Sequence, residues 1–232
     1  MDVFIEKCKP VYEAITKVRS QLCHSKSLIG FAGAPWTLYR YMSGNVLAGN
    51  IDEFDGAYMM TRLVDYIVEH LSQQIKAGCD TVQVFDSWAS DLGEEHIIPY
   101  CYEPTAQIVE RLRDLHPDVG IIVFPRLIGE EINNFSKYVN ADCISLSDDM
   151  KTDWILKRMG SQCLQGGIPP QVLLSEHRED ILRGTVPMIR QMKDCAYVVN
   201  LAHGINKETP VENVRFFIEI VKRNRENITR ET

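Results

Sequence analysis

Residues 28–42 read LIGFAGAPWTLYRYM. An apolar run stops abruptly at Gly-Ala-Pro-Trp and gives way to a segment carrying two tyrosines, Tyr39 and Tyr41. A run with no polar face argues for a strand covered on both sides. Proline locks φ near the helical value and lacks the N–H that a first helical turn leaves unpaired anyway. The stretch therefore predicts a buried strand, a tight corner and a helix, with the tyrosines placed just beyond the strand's C-terminal end.

The same grammar recurs along the chain. SLIGFAG, DTVQVFDSW, VGIIVFP, DCISLS, QCLQGG and AYVVNLAHG read as strands. Helical periodicity fills the intervals. Phe4, Cys8, Val11, Tyr12, Ile15, Val18 and Leu22 recur at helical spacing, with Pro10 expected to mark a first turn. Met59, Met60, Leu63, Val64, Ile67, Val68, Leu71 and Ile75 form one broad apolar face over 58–77, with Asp55 expected as N-cap and Gly78 as the residue past the C-cap. Further helices are expected over 104–115, 131–139, 153–159, 176–192 and 210–223. Strands buried on both faces and each followed by a helix predict an α/β fold of the (β/α)8 TIM-barrel type. The count is about six β/α units where the full barrel has eight, so the barrel is expected to be incomplete. No Pro/Ser-rich or low-complexity linker interrupts the chain, and a single domain over 1–232 is expected.

Composition narrows the function classes. The chain has 232 residues, a formal charge of −7, and 45% hydrophobic and 25% charged residues. That acidic balance supplies no basic field for a nucleic-acid partner. The seven cysteines are scattered without C-x-x-C spacing, which suits reduced thiols better than a disulfide scaffold or a zinc site. No window reaches the length of a membrane span, and MDVFIEKCKP lacks a signal-peptide core, so a cytoplasmic location and no membrane partner are expected.

Barrel sites lie at the C-terminal ends of the strands. The unusual residues cluster at those positions: Gly-Ala-Pro-Trp-Thr, Asp86-Ser87-Trp88, Pro125-Arg126, Asp148-Asp149, Gly166-Gly167, and Asn200 with His203-Gly204. The pattern predicts a polar site at one mouth of the barrel without naming its reaction. Each residue also has a plainer reading. Tyr41 would serve as a helix residue packed beneath a loop, Ser87 as a helix cap, Asp86 as a structural partner, and His203 as a structural histidine. Arg126 is read as a surface or ion-paired residue, the methionine and aromatic stripes as core, and KRNRENITRET as a solvated tail.

Four of these segments, GFAGAPWTLYRYM, QIKAGCDTVQVFDSWAS, CLQGGIPPQVLL and YVVNLAHGI, in this order, resemble the uroporphyrinogen decarboxylase family. The resemblance spans nearly the whole chain. It implies a (β/α)8 barrel that removes CO2 from the four acetate arms of uroporphyrinogen III, giving coproporphyrinogen III in heme biosynthesis, without metal or cofactor. It further implies that Tyr41, Ser87 and His203 bind substrate carboxylates, that the partner is a tetrapyrrole, and that the protein forms a homodimer.

The resemblance also has gaps. The family's Arg-Gln-Ala-Gly-Arg motif and the strand bearing its catalytic Asp have no counterpart here and are expected upstream of Met1, so no catalytic residue is assigned in this chain. The chain is thus expected to begin at the family's third strand and to have little decarboxylase activity alone. The segment SGNVLAGNIDEFDGAY is expected to be shorter than in the family. QGGIPP stands where the family has an Asn and an Asp, LSDDMKTDW alters a D-W pattern, and Ala202 stands where a Gly usually precedes His. Two alternatives remain open: a corrinoid or thiol methyltransferase-like relative, and a non-catalytic barrel fragment completed by another chain.

Overall fold

A computed structural model describes residues 1–44 and 53–231, with side chains described for 1–44 and 55–224. Residues 45–52, within the segment expected to be shortened, lie outside the described residues, as do the side chains at the end of the charged tail. The chain forms two compact units, Met1–Cys143 and Ile144–Thr232.

The first unit runs α1 (Asp2–Gln21), β1 (Ile29–Gly33), α2 (Pro35–Met42), α3 (Glu53–Lys76), β2 (Thr81–Asp86), α4 (Glu94–Ile97), α5 (Glu103–Leu115), β3 (Gly120–Pro125) and α6 (Ile132–Val139). Its strands are parallel in sequence order. Gly33 pairs with Phe85 and Phe85 with Phe124, while Phe31 pairs with Gln83 and Gln83 with Ile122. Register partners share a face, and strand side chains alternate, so the two faces can be assigned. One face carries Phe31, Phe85 and Phe124, whose rings meet edge-on with centroids 6.0 and 6.2 Å apart. The other carries Val82, Val84, Asp86, Ile121 and Val123, all buried, and turns toward the helices.

Local chemistry explains the element ends. Pro35 opens α2 at its first turn, as the corner predicted. Past α3, Gly78 adopts φ +115°, with its N–H donated to Ile75 O and that of Cys79 to Gln74 O, so glycine terminates the helix where expected. Two expectations are corrected. Asp55 lies inside α3, because the helix already includes Glu53. Pro10 lies inside α1 rather than in a first turn. It is tolerated because Pro10 and Glu6, whose carbonyl loses its donor, are both exposed and water can take the missing partner's place.

The free side of β1 is partly closed by a side chain. The Gln74 amide accepts from Phe31 N–H at 3.0 Å through Oε1 and donates to Phe31 O at 2.9 Å through Nε2. A helix residue thereby supplies the two bonds a neighbouring strand would make. Gly30 permits the approach, since a Cβ there would lie 2.8 Å from Gln74 Oε1.

The second unit contains β4 (Cys143–Leu146), which starts at the boundary, then α7 (Thr152–Met159), β5 (Cys163–Gly166), α8 (Arg178–Gln191), β6 (Tyr197–Val198) and α9 (Val211–Glu231). β5 and β6 are parallel, pairing Leu164 with Tyr197 and Gln165 with Val198. Ile168, Leu173, Ile181, Ile189, Phe217 and Ile220 form its core. Parallel strands alternating with helices in both units make the fold α/β. No described helix is long and apolar enough to cross a membrane.

Candidate active site

At the strand ends of the first unit, α2 anchors the site. Trp36 is fully buried and donates its indole N–H to Trp88 O at 3.0 Å. Tyr39 and Tyr100 stack on its ring. One residue on, Thr37 Oγ1 donates to Asp86 Oδ1 at 2.7 Å and accepts from Trp88 N–H at 3.3 Å. A single threonine thus bridges α2 to the end of β2.

Asp86 is buried, and burial pushes its pKa up to about 6 against the partly offsetting bonds from Thr37, the Cys101 thiol and the Trp88 N–H. Its Oδ2 accepts no conventional hydrogen bond, and the Cys101 thiol beside the carboxylate is a weak donor. Burial, then the adjacent Asp86 carboxylate, hold that thiol well above its ordinary range. The structural reading of Asp86 is therefore the one observed.

Arg40, next on the inward side of α2, is only 5% exposed. Its guanidinium lies 4.8 Å from the Trp88 ring centroid and 3.1 Å from Asp91 Oδ2. Tyr41 is 60% exposed, with its ring edge-on to Trp88 at 6.3 Å. Ser87 precedes Trp88 and is half-buried. The short helical turn at Ala89–Asp91 has no side-chain cap, so Ser87 does not serve as one. The structure thus brings Tyr41 and Ser87 to the same indole, Tyr41 through its ring and Ser87 through the chain. Two concavities flank this cluster rather than contain it. One of about 590 Å³ is lined by Tyr102, Leu127, Ile128 and Glu131 among others. Another of about 660 Å³ runs past Phe31, Met42 and Phe4.

In the second unit, His203 is half-buried and its Nδ1 lies 2.8 Å from Gly204 O. A carbonyl only accepts, so Nδ1 carries the proton and Nε2 is left to engage a ligand. Leu201 N–H is held by Asn200 Oδ1 at 2.9 Å. Gly166 and Gly167 adopt φ +80° and +92°, and Tyr197 donates its hydroxyl to Gly166 O at 2.7 Å. The double glycine is needed for this turn, since a Cβ on Gly166 would lie 3.0 Å from Leu201 O.

Against known families, residues 1–224 match the model described as Uroporphyrinogen decarboxylase (URO-D).

The chain belongs to the uroporphyrinogen decarboxylase family.

Its relatives in that family include the uroporphyrinogen decarboxylase of Orientia tsutsugamushi strain Boryong, 35% identical over 93% of this chain and 66% of the relative. That of Rickettsia massiliae is 34% identical over 94% of this chain and 65% of the relative. That of Cereibacter sphaeroides ATCC 17025 is 30% identical over 95% and 67%. The chain thus spans about two thirds of the length of the family members it matches. Among solved structures, a methyltransferase from Methanosarcina mazei superposes with a TM-score of 0.72 over 92% of this chain and 63% of its own, at 14% identity. At that identity the likeness concerns the fold alone, and it supports the barrel-type α/β assignment.

Sequence reasoning missed the Thr37–Asp86–Cys101 cluster and the Arg40–Trp88 stack. Buried polar letters within the GAPWT and FDSW segments were the available signal, but their partners lie 49 and 51 residues apart in the chain.

Proposed function

We propose that this chain binds uroporphyrinogen and serves its decarboxylation to coproporphyrinogen. The observation that carries the reading is the family match over residues 1–224. Its motifs fall on strand-end turns that the structure builds with buried polar supports. In the reaction, an acetate arm loses CO2 and takes up a proton, leaving a methyl group. The pyrrole carbon first takes a proton, the resulting cation loses CO2 to leave an exocyclic methylene, and a proton added to that methylene as the ring proton departs gives the methyl group. A site for this substrate must hold many carboxylates while the ring reacts.

Tyr41, Ser87 and His203 are the residues we assign to that task. The Tyr41 and Ser87 hydroxyls are donors suited to carboxylate oxygens, and His203 donates to one from Nε2 as the imidazolium, in which both ring nitrogens carry a proton. The exposure of Tyr41 and the absence of a capping duty for Ser87 support the assignment. Around Tyr41 and Ser87, the Trp36–Trp88 bond and the Thr37–Asp86 bond hold the backbone in place, so that the two hydroxyls are preorganised.

The test is incubation of the protein with uroporphyrinogen under reducing, oxygen-free conditions, alongside titration with oxidised uroporphyrin followed by fluorescence. Saturable binding and products with fewer carboxylates support the proposal. No binding and unchanged substrate would overturn it.

A further inference from the structure

We propose that Arg126 is a substrate-carboxylate binding residue. The proposal rests on the tetrapyrrole reading above and adds to it a site residue that the family motifs do not mark.

Two arginines stand at the strand ends of the first unit, and they are in opposite states. Arg40 is committed, buried between the Trp88 ring and Asp91. Arg126 is half-buried, yet among the described residues no ion pair, hydrogen bond or ring contact engages its guanidinium. A partly desolvated guanidinium with no partner costs free energy, and an incoming carboxylate recovers it through paired, charge-assisted bonds.

Its placement follows from the backbone. Arg126 N–H donates to Asp86 O at 3.0 Å, the bond that closes the β2–β3 ladder at its last pair, Asp86 with Pro125. Alternation then puts Arg126 on the face of Phe124 and Phe85, away from the helix-facing Asp86. Ser87 follows Asp86 directly and opens the turn at the end of β2. Arg126 and Ser87 thus each stand one residue past the paired ends of adjacent strands.

A second observation concerns the next residue. Leu127 adopts φ +57°, in the left-handed region that a leucine rarely occupies. Such conformations persist where surrounding structure holds them, and they concentrate at ligand sites. Here the left-handed turn follows Arg126 directly. In a chain of net charge −7, an unpaired cation at this strand end is what a polyanionic ligand needs.

The test compares Arg126→Ala, Arg126→Gln and Arg126→Lys with the wild type, using uroporphyrin (eight carboxylates) and coproporphyrin (four) as probes. Arg126→Ala is expected to bind uroporphyrin about 10- to 100-fold more weakly, with a flatter salt dependence. Arg126→Lys should recover part of the loss, and coproporphyrin should be affected less. Thermal midpoints should stay unchanged, because no internal partner is lost. Equal uroporphyrin affinity in wild type and Arg126→Ala would overturn this proposal alone. Failure of the wild type to bind uroporphyrin would overturn the tetrapyrrole reading, and this proposal with it.

Discussion

Thr37 Oγ1 donates a 2.7 Å hydrogen bond to Asp86 Oδ1, tying the first turn of α2 to the end of β2 through a buried carboxylate. Few arrangements are so sensitive to protonation. The carboxylate is out of water, one oxygen has a hydroxyl donor, and the other accepts no conventional hydrogen bond.

Asp86 therefore makes stability depend on pH. Its folded pKa, about 6, lies above the ordinary 3.8, so the fold favours the protonated form. The favourable contribution is complete below about pH 4 and is lost as pH rises through about 6, for a total of about 3 kcal/mol. Asp86→Asn should remove that slope. Urea unfolding of both proteins at pH 4.5 and 7.5 checks it, and an unchanged slope in the variant would rule Asp86 out as its source.

Gln74→Leu should destabilise the protein by about 2 kcal/mol or more, since it strips partners from both the N–H and the C=O of Phe31. Gln74→Glu should fall between, keeping the acceptor and losing the donor. Amide exchange at Phe31 should accelerate more than at Val84 in the middle of the sheet.

Arg40→Lys should cost about 1–2 kcal/mol despite conserving charge. An ammonium cannot stack on the Trp88 ring as a planar guanidinium does. Denaturant midpoints read the loss, and near-ultraviolet circular dichroism should report the altered tryptophan environment.

Gly166→Ala should destabilise by about 1–3 kcal/mol, because it combines a left-handed φ of +80° with a close carbonyl. Gly93→Ala is the control. Its φ is −72° and no atom lies within 4 Å of a Cβ there, so a change under about 0.5 kcal/mol is expected. Paired thermal melts decide the matter.

Tyr41→Phe, Ser87→Ala and His203→Gln should each weaken uroporphyrin binding about tenfold while leaving unfolding midpoints within about 0.5 kcal/mol. Tyr41 is exposed, and Ser87 caps nothing. If stability falls together with affinity, these side chains are supports of the fold rather than carboxylate holders.

Much of this was legible in the chain. Apolar runs alternating with helical periodicity located the strands and the main helices, because those patterns are local. Gly78 was readable as a helix terminator for the same reason. Pro10 misled, because a proline's cost depends on whether the orphaned carbonyl meets water, and exposure is not a local property. Ser87 looked as much like a cap as a ligand, and only the observed turn removed the cap.

By itself, the sequence determined the β/α grammar, the family, and the placing of Tyr41, Ser87 and Arg126 just past strand ends, all of which follow from residue order and short-range periodicity. Tertiary structure alone decided which polar groups are spent and which are free. Arg40 and Arg126 look alike as letters. One is stacked and paired, the other is half-buried with no partner among the described residues, and that difference arises from residues brought together across long stretches of chain.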